Sequence, residues 1–319
     1  MSRTVSPTHT PTAELAGADR DRRIRVERGI QWGRIAAWGA MGLLLFVSLF
    51  PFFWMIRTAL STNADLVTGT QSLAPSNPTL LNLRQVLGLA SAKELTDAGT
   101  VTSADVNFFI ALRNSVIVCT LITIGQVAFC SMAAYAFARL KFPGRDKIFF
   151  LFLTAMMIPP IFTLIPNFVL IKNLGWLNTF PGIVAPFFLM TPFAVFFLRQ
   201  FFLGISKEVE EAALLDGAGR WKIFRQLILP MMAAPLATLA VLTYITAWHE
   251  YMWPLVTGDS ENVRVLTVAL NAFKSSTPTI APPWGPLMAG TFLAALPLIA
   301  LFMLMARKMV DAIGFSGIK

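Results

Sequence analysis

Charge is scarce in this chain. Of 319 residues only 13% are charged, while 55% are hydrophobic and the mean hydropathy is +0.64. A soluble domain covers its surface with about a quarter charged residues, so this composition excludes an ordinary globular protein and leaves lipid as the medium for the missing polar surface. Histidine is limited to His9 and His249, which excludes a multi-histidine metal site. Cysteine is limited to Cys119 and Cys130, both in one apolar segment. On a single helix they stand about 16 Å apart at 1.5 Å per residue, too far for a disulfide, and read as small packing residues.

Catalytic signatures are also missing. His249-Glu250 begins like the zinc pattern H-E-x-x-H, but Trp253 occupies the second ligand position. Neither a G-x-S-x-G nucleophile elbow nor a phosphate loop occurs; Gly217-Ala218-Gly219-Arg220-Trp221-Lys222 lacks the loop's spacing and its Ser or Thr. Any work this protein performs must draw energy from another chain or from an ion gradient.

What the sequence does have is long apolar runs. Six can cross a hydrocarbon core that needs about 20 helical residues: Ile35–Ile56, Ser115–Ala138, Ile148–Ile171, Gly182–Leu198, Met231–Val256 and Leu287–Ala306. They hold one acidic residue, Glu250, and no Lys or Arg. In lipid the backbone must satisfy its own hydrogen bonds, so an all-α, polytopic membrane fold is expected. Pro159-Pro160, Pro166, Pro186, Pro192 and Pro297 predict kinked helices with unwound corners.

The formal charge of +9 would suit nucleic acid, yet the cations flank the apolar runs instead. Nineteen Lys and Arg fall in the amino-terminal tail, the 139–147 and 199–229 loops and the carboxyl tail, against seven in the segments on the other side. By the positive-inside bias both termini are cytosolic. Arg22-Arg23 before an apolar run suggests a signal peptide, but that run is 22 residues long, and the segment reads as an uncleaved first span. Residues 1–30 read as a disordered basic cytosolic tail and 31–319 as the six-span domain. In the long outer connection a short helix is expected near Leu81–Leu87, followed by a mobile polar insert over 90–106. The 257–285 stretch reads as a second outer loop.

One cytosolic segment stands out. In the 199–230 loop Ser206 can cap a helix, Glu208, Glu210 and Glu211 suit its positive end, and Val209, Ala212 and Ala213 form a small-residue stripe. Asp216-Gly217 ends that helix in a turn, because Gly accepts the left-handed conformation. A second helix from about Arg220 to Leu227 leads through Pro230 into the fifth span, giving a helix–turn–helix outside the bilayer.

This segment resembles the E-A-A-x-x-x-G-x9-I-x-L-P motif of binding-protein-dependent ABC transporter permeases. Glu211-Ala212-Ala213, Gly217, Leu227, Leu229 and Pro230 occupy the matching positions. Further stretches resemble the carbohydrate-uptake branch: Asn82 to Leu87, Arg113-Asn114-Ser115, Ala133 to Arg139, Trp248 to Leu255, and the ending from Ile313 to Lys319. The resemblance implies a permease of the plasma (inner) membrane, partnered by a homologous second permease, two cytosolic ATPase subunits and an extracytoplasmic solute-binding protein. It further implies that ATP and magnesium are bound by the ATPase subunits, that Glu211, Ala212, Ala213, Asp216 and Gly217 form the ATPase-coupling site, and that the cargo is a carbohydrate. This chain itself is then no enzyme and carries no cofactor.

Two other classes compete. A gradient-driven secondary transporter would want ionisable groups at mid-membrane, and one Glu toward the outer third is poor material. An intramembrane enzyme would want the nucleophile–base or metal set that is missing. Glu250 stays open between two roles. With Thr243 and Thr246 it forms a polar stripe beside an aromatic one, Tyr244, Trp248 and Tyr251, which suits a sugar in a translocation pathway. Equally, it can satisfy backbone groups freed near Pro254 or pair across a subunit interface.

Overall fold

The computed structural model describes residues 32–67, 72–98, 106–275 and 283–314, and among these the chain is helix, turn and coil. The 1–30 tail, most of the insert's second half and the last five residues lie outside the described residues. Contacts divide the chain between Trp54 and Met55. The first unit carries most of α1 (Trp32–Ala59), whose side chains from Leu43 to Phe50 are exposed and, Ser48 apart, apolar, as a lipid-facing helix requires.

The second unit is built around α5. In chain order it contains α2 (Asn63–Val67), α3 (Leu81–Val86), α4 (Ala92–Asp97), α5 (Phe108–Arg139), α6 (Arg145–Thr154), α7 (Pro160–Asn173), α8 (Phe180–Phe188) and α9 (Pro192–Gly204). There follow α10 (Lys207–Leu215), α11 (Arg220–Met231), α12 (Ala233–His249), α13 (Met252–Thr257), α14 (Leu266–Ser275) and α15 (Trp284–Gly314). Helix α5 packs against α8, α9, α12 and α14, so it is the central post. Cys119 and Cys130 are both buried in it as free thiols.

Among the described residues three helices are long and apolar enough to cross a membrane, or up to six if each bent pair counts as one span. The bends revise two expected runs, and the third falls where the fifth run was expected to begin. Helix α6, with its 3-10 extension to Met157, meets α7 at 98°; α8 meets α9 at 45°; α11 meets α12 at 77°. Proline explains where the first two breaks fall. Its ring clashes with the carbonyl four residues earlier and it lacks a donor. Phe188, four residues before Pro192, is the last residue of α8, and the helix before Pro159-Pro160 loosens into 3-10 turns at Ala155 and Met156. Ile158, held extended before Pro159 at ψ 113, completes the corner. By contrast Pro166, Pro186 and Pro297 lie inside continuous helices, so the unwinding expected there does not occur. A lone mid-helix proline removes one bond; the breaks come where a second proline or the extended Thr191 also favours restarting the helix.

The fifth run is corrected most. Expected as one helix over Met231–Val256, it ends at His249, passes through extended Glu250 and resumes as α13. Pro254 stands four residues beyond Glu250, whose carbonyl it cannot serve as a helical donor; Glu250 and Tyr251 lie outside both helices.

The 257–285 stretch is more than a loop. It contains α14, whose Leu266, Ala269, Leu270 and Phe273 are buried at helical spacing. Asn114 of α5 donates to the Arg264 carbonyl at 3.1 Å, and Ser115 Oγ accepts from the Leu266 amide at 2.7 Å, which pins the start of α14. The polar insert likewise opens with a helix, α4, where Ser91 and Glu94 form a reciprocal capping box.

Candidate functional site

A cavity of about 250 Å³ opens among α5, α8, α9, α12 and α13. Its wall is mainly apolar, with Ile122, Phe187, Phe193, Leu239, Trp248 and Trp253. The polar groups are Ser115, Gln126, Thr191, Thr243, Thr246 and Glu250, and the lining includes no Lys, Arg or His. Among the described residues no three His, Cys, Asp or Glu side chains converge to hold a metal ion.

Two helix breaks meet at this cavity. At the α8–α9 break the Phe187 carbonyl accepts from Gln126 Nε2 at 2.9 Å, and the Gln126 carbonyl oxygen accepts from Thr191 Oγ1 at 3.2 Å. Close approach makes this possible: Gly125 lies so near Phe188 that a Cβ there would strike its carbonyl oxygen. At the α12–α13 break Glu250 Oε1 accepts from the Trp253 amide at 3.2 Å, and the Glu250 carbonyl accepts from Thr267 Oγ1 at 2.9 Å. Non-helical backbone at membrane depth is tolerated where it lines a cavity or is satisfied by neighbouring groups, and both conditions hold here. The Trp253 indole in turn donates to the Ile183 carbonyl at 3.1 Å, joining α13 to α8.

Of the pathway candidates Thr243, Thr246, Trp248, Glu250 and Tyr251, the first four line this cavity and the last does not. The Tyr251 hydroxyl instead accepts from Asn271 Nδ2 at 2.7 Å, toward α14. The helix stops at His249, so positions 250 and 251 no longer follow the helical stripe that placed them together. Glu250 caps α13 through one oxygen while its side chain borders the cavity. Gln126 and Thr191 escaped the sequence reading. A lone amide in an otherwise apolar run, opposite a Thr-Pro pair in another run, was the available signal.

The second candidate site is the α10–turn–α11 unit. Ser206 accepts from the Glu208 amide at 3.3 Å to cap α10. At its other end Gly217, with φ 79°, closes a Schellman turn: the Ala218 amide donates to the Ala213 carbonyl and the Gly217 amide to that of Leu214, both at 3.0 Å. The expected second helix is present, but its Ile223–Ile228 stretch is π-helical. The coupling candidates divide by face. Glu211, Ala212, Asp216 and Gly217 are exposed, while Ala213 is half-buried and packs on the core beneath. Leu215 is 90% exposed and Trp221 62%, two large apolar groups on a charged segment. Glu210 turns the other way and is buried.

Comparison with known proteins supports one assignment. Residues 126–313, more than half the chain, match the family described as the binding-protein-dependent transport system inner membrane component. A probable ABC transporter permease protein of Bacillus subtilis, YurM, is 31% identical, with 90% of this chain and 89% of that protein covered. The trehalose/maltose transport system permease protein MalG of Thermococcus litoralis is 30% identical, with 87% and 94% covered. In fold, the chain is similar to the crystal structure of a bacterial ABC transporter involved in the import of the acidic polysaccharide alginate, with TM-score 0.70, 20% identity, and 95% and 99% covered. These matches displace the secondary-transporter reading, and the chain belongs to the inner-membrane permease components of binding-protein-dependent ABC importers.

Proposed function

We propose that this permease forms half of a carbohydrate import pathway and is driven through α10 by a cytosolic ATPase. The observation that carries the reading is the uncovered outer face of the α10–turn–α11 unit. Leu215 and Trp221 present apolar surface there, Ala212 allows close approach, and the turn at Gly217 is fixed by two backbone bonds. A surface of this kind on a short capped helix is suited to a cleft in another protein.

In this reading each bent pair is one span, six in all. Both termini and α10 face the cytosol, and the tail over 1–30 precedes the permease domain. The partners are a homologous second permease, two ATPase subunits that bind ATP and magnesium, and an extracytoplasmic solute-binding protein. Glu211, Ala212, Ala213, Asp216 and Gly217 form the coupling site. Closure of the ATPases on ATP would rock the permeases and alternate access to the cavity bordered by Thr243, Thr246, Trp248 and Glu250.

Carbohydrate is favoured by the lining, where indole faces suit sugar rings and hydroxyls suit sugar hydroxyls. The lining lacks a cation and carries a carboxylate, which supports an uncharged glycoside over a phosphate or uronate. The test is ATP hydrolysis and uptake by the reconstituted importer, titrated with its binding protein and a panel of neutral and anionic sugars. Stimulation by neutral di- or oligosaccharides is the expected result. Stimulation by anionic sugars alone would contradict the proposed cargo.

A further inference from the structure

The inner face of α10 holds a buried ion pair that the coupling motif does not include. Arg139, the last residue of α5, places Nε 3.2 Å from Glu210 Oε1, and the two side chains are only 4% and 9% exposed. Those two atoms are close but out of line, and neither has a hydrogen-bond partner. Other atoms of the pair are well used. Arg139 Nη2 donates to the Phe202 carbonyl at 2.6 Å and also to the Ile205 carbonyl, while Glu210 Oε2 accepts from the Tyr135 hydroxyl at 3.3 Å.

The groups involved come from three elements. Tyr135 and Arg139 stand one turn apart on α5, Phe202 and Ile205 mark the end of α9, and Glu210 belongs to α10. The Tyr135 ring also packs on Phe202 and on Phe224 of α11, at 5.9 and 5.0 Å between centroids. A guanidinium at the end of α9 meets two carbonyls of its closing turn, of which that of Phe202 also accepts from the Ile205 amide, and sits at the negative end of the helix dipole. Arg220, at the start of α11, brings a second cation to the Tyr135 hydroxyl.

On α10 the outward Ala212 and Leu215 lie about 160° and 140° around the axis from Glu210, at 100° per residue. The helix therefore has a docking side and an anchoring side. A buried charge whose partner is removed is strongly disfavoured, so this anchor cannot slide without breaking. We propose that Arg139 is a positioning residue which, through Glu210, locks α10 to the ends of α5 and α9, so that these three elements move as one body when α10 is displaced. The source of that displacement rests on the coupling role proposed above; the lock itself does not.

The test uses the complete transporter in nanodiscs, with spin labels at Lys207 and Lys141 and with Cys119 and Cys130 replaced by Ala. Both labelled positions are exposed and outside the ion pair. Wild-type protein should give one narrow distance that differs by less than ~2 Å between nucleotide-free and ATP-bound samples. Glu210→Gln, similar in size but unable to pair as an ion, should broaden that distance and lower uptake per ATP hydrolysed severalfold while hydrolysis continues. If this variant does not assemble, Arg139→Lys, which keeps the charge but loses the planar fork, should have the same effect. A larger wild-type change on ATP binding overturns the lock and needs no variant to do so. An unaltered distance and uptake-to-hydrolysis ratio in an assembled variant overturns it as well. A wild-type distance that holds while hydrolysis proves unlinked to uptake would instead remove the coupling role and leave the lock in place.

Discussion

Gln126 donates to the Phe187 carbonyl at 2.9 Å, so a side chain of the central helix satisfies backbone that the α8–α9 break releases. Its other end accepts from Thr191 on the far side of the same break. Replacing it with Leu keeps the bulk and orphans both groups. Gln126→Leu should destabilise the permease by about 1 kcal/mol, the order expected for a lost polar contact at this depth. Thermal unfolding in detergent checks this. An unchanged midpoint would mean that Gln126 does not hold the break.

Glu250 caps α13 and, in the proposed function, serves the pathway, and one substitution separates the two. Gln retains an oxygen able to accept from the Trp253 amide but removes the charge from the cavity. Glu250→Gln should keep assembly and basal ATP hydrolysis and reduce uptake, whereas Glu250→Ala should also loosen the start of α13. Normal uptake by Glu250→Gln, or failure to assemble, would remove Glu250 from the pathway.

The two faces of α10 predict different phenotypes for adjacent alanines. Ala212 is exposed, so Ala212→Asp should leave the permease folded while weakening ATPase association; Ala213 packs inward, so Ala213→Asp should disturb the fold itself. At Gly217 a Cβ meets nothing within 4 Å, but the positive φ makes any side chain cost about 1 kcal/mol. Gly217→Asp should thus lower coupling with the protein still in the membrane. Copurification of the ATPase with each variant checks the division. Equal behaviour of Ala212→Asp and Ala213→Asp would contradict it.

Glu94 carries a pH dependence. The Ser91 amide and the Arg84 guanidinium hold its carboxyl below the usual carboxylate value. A folded pKa below the unfolded one means that the carboxylate's support for α4 is complete above the unfolded value and is lost as pH falls through the folded one. Amide exchange at Glu94 and Leu95, corrected for intrinsic rate, should show protection failing at acid pH. Protection independent of pH would contradict the capping role.

Local signals were well written in the sequence. Ser206 and Gly217 mark the ends of α10 because a hydroxyl and a missing Cβ act within one turn. Pro192 marks the α8–α9 break for the same local reason. Side-chain direction across elements was harder to read. Glu210 sits among acids that suit a helix start, and only the tertiary fold, by bringing Arg139 beneath it, turns it inward. The helix α14 was legible in principle from Leu266, Ala269, Leu270 and Phe273, but Gly258, Asp259 and Pro282-Pro283 gave the segment the look of a loop. Tyr251 was placed on the wrong face because the proline effect of Pro254 on Glu250 ends the helix before the stripe is complete.

In the proposed coupling α10 is the entry point for ATP-driven motion, and one measurement addresses that directly. A photo-crosslinking residue is placed at Leu215, exposed and pointing away from the ion pair, and another at Glu94 in the polar insert as a control. In the assembled transporter Leu215 should crosslink to the ATPase subunit, with a yield that changes on ATP binding, and Glu94 should not. Crosslinking from Glu94 but not from Leu215 would put α10 on the wrong side of the membrane and contradict the proposed coupling.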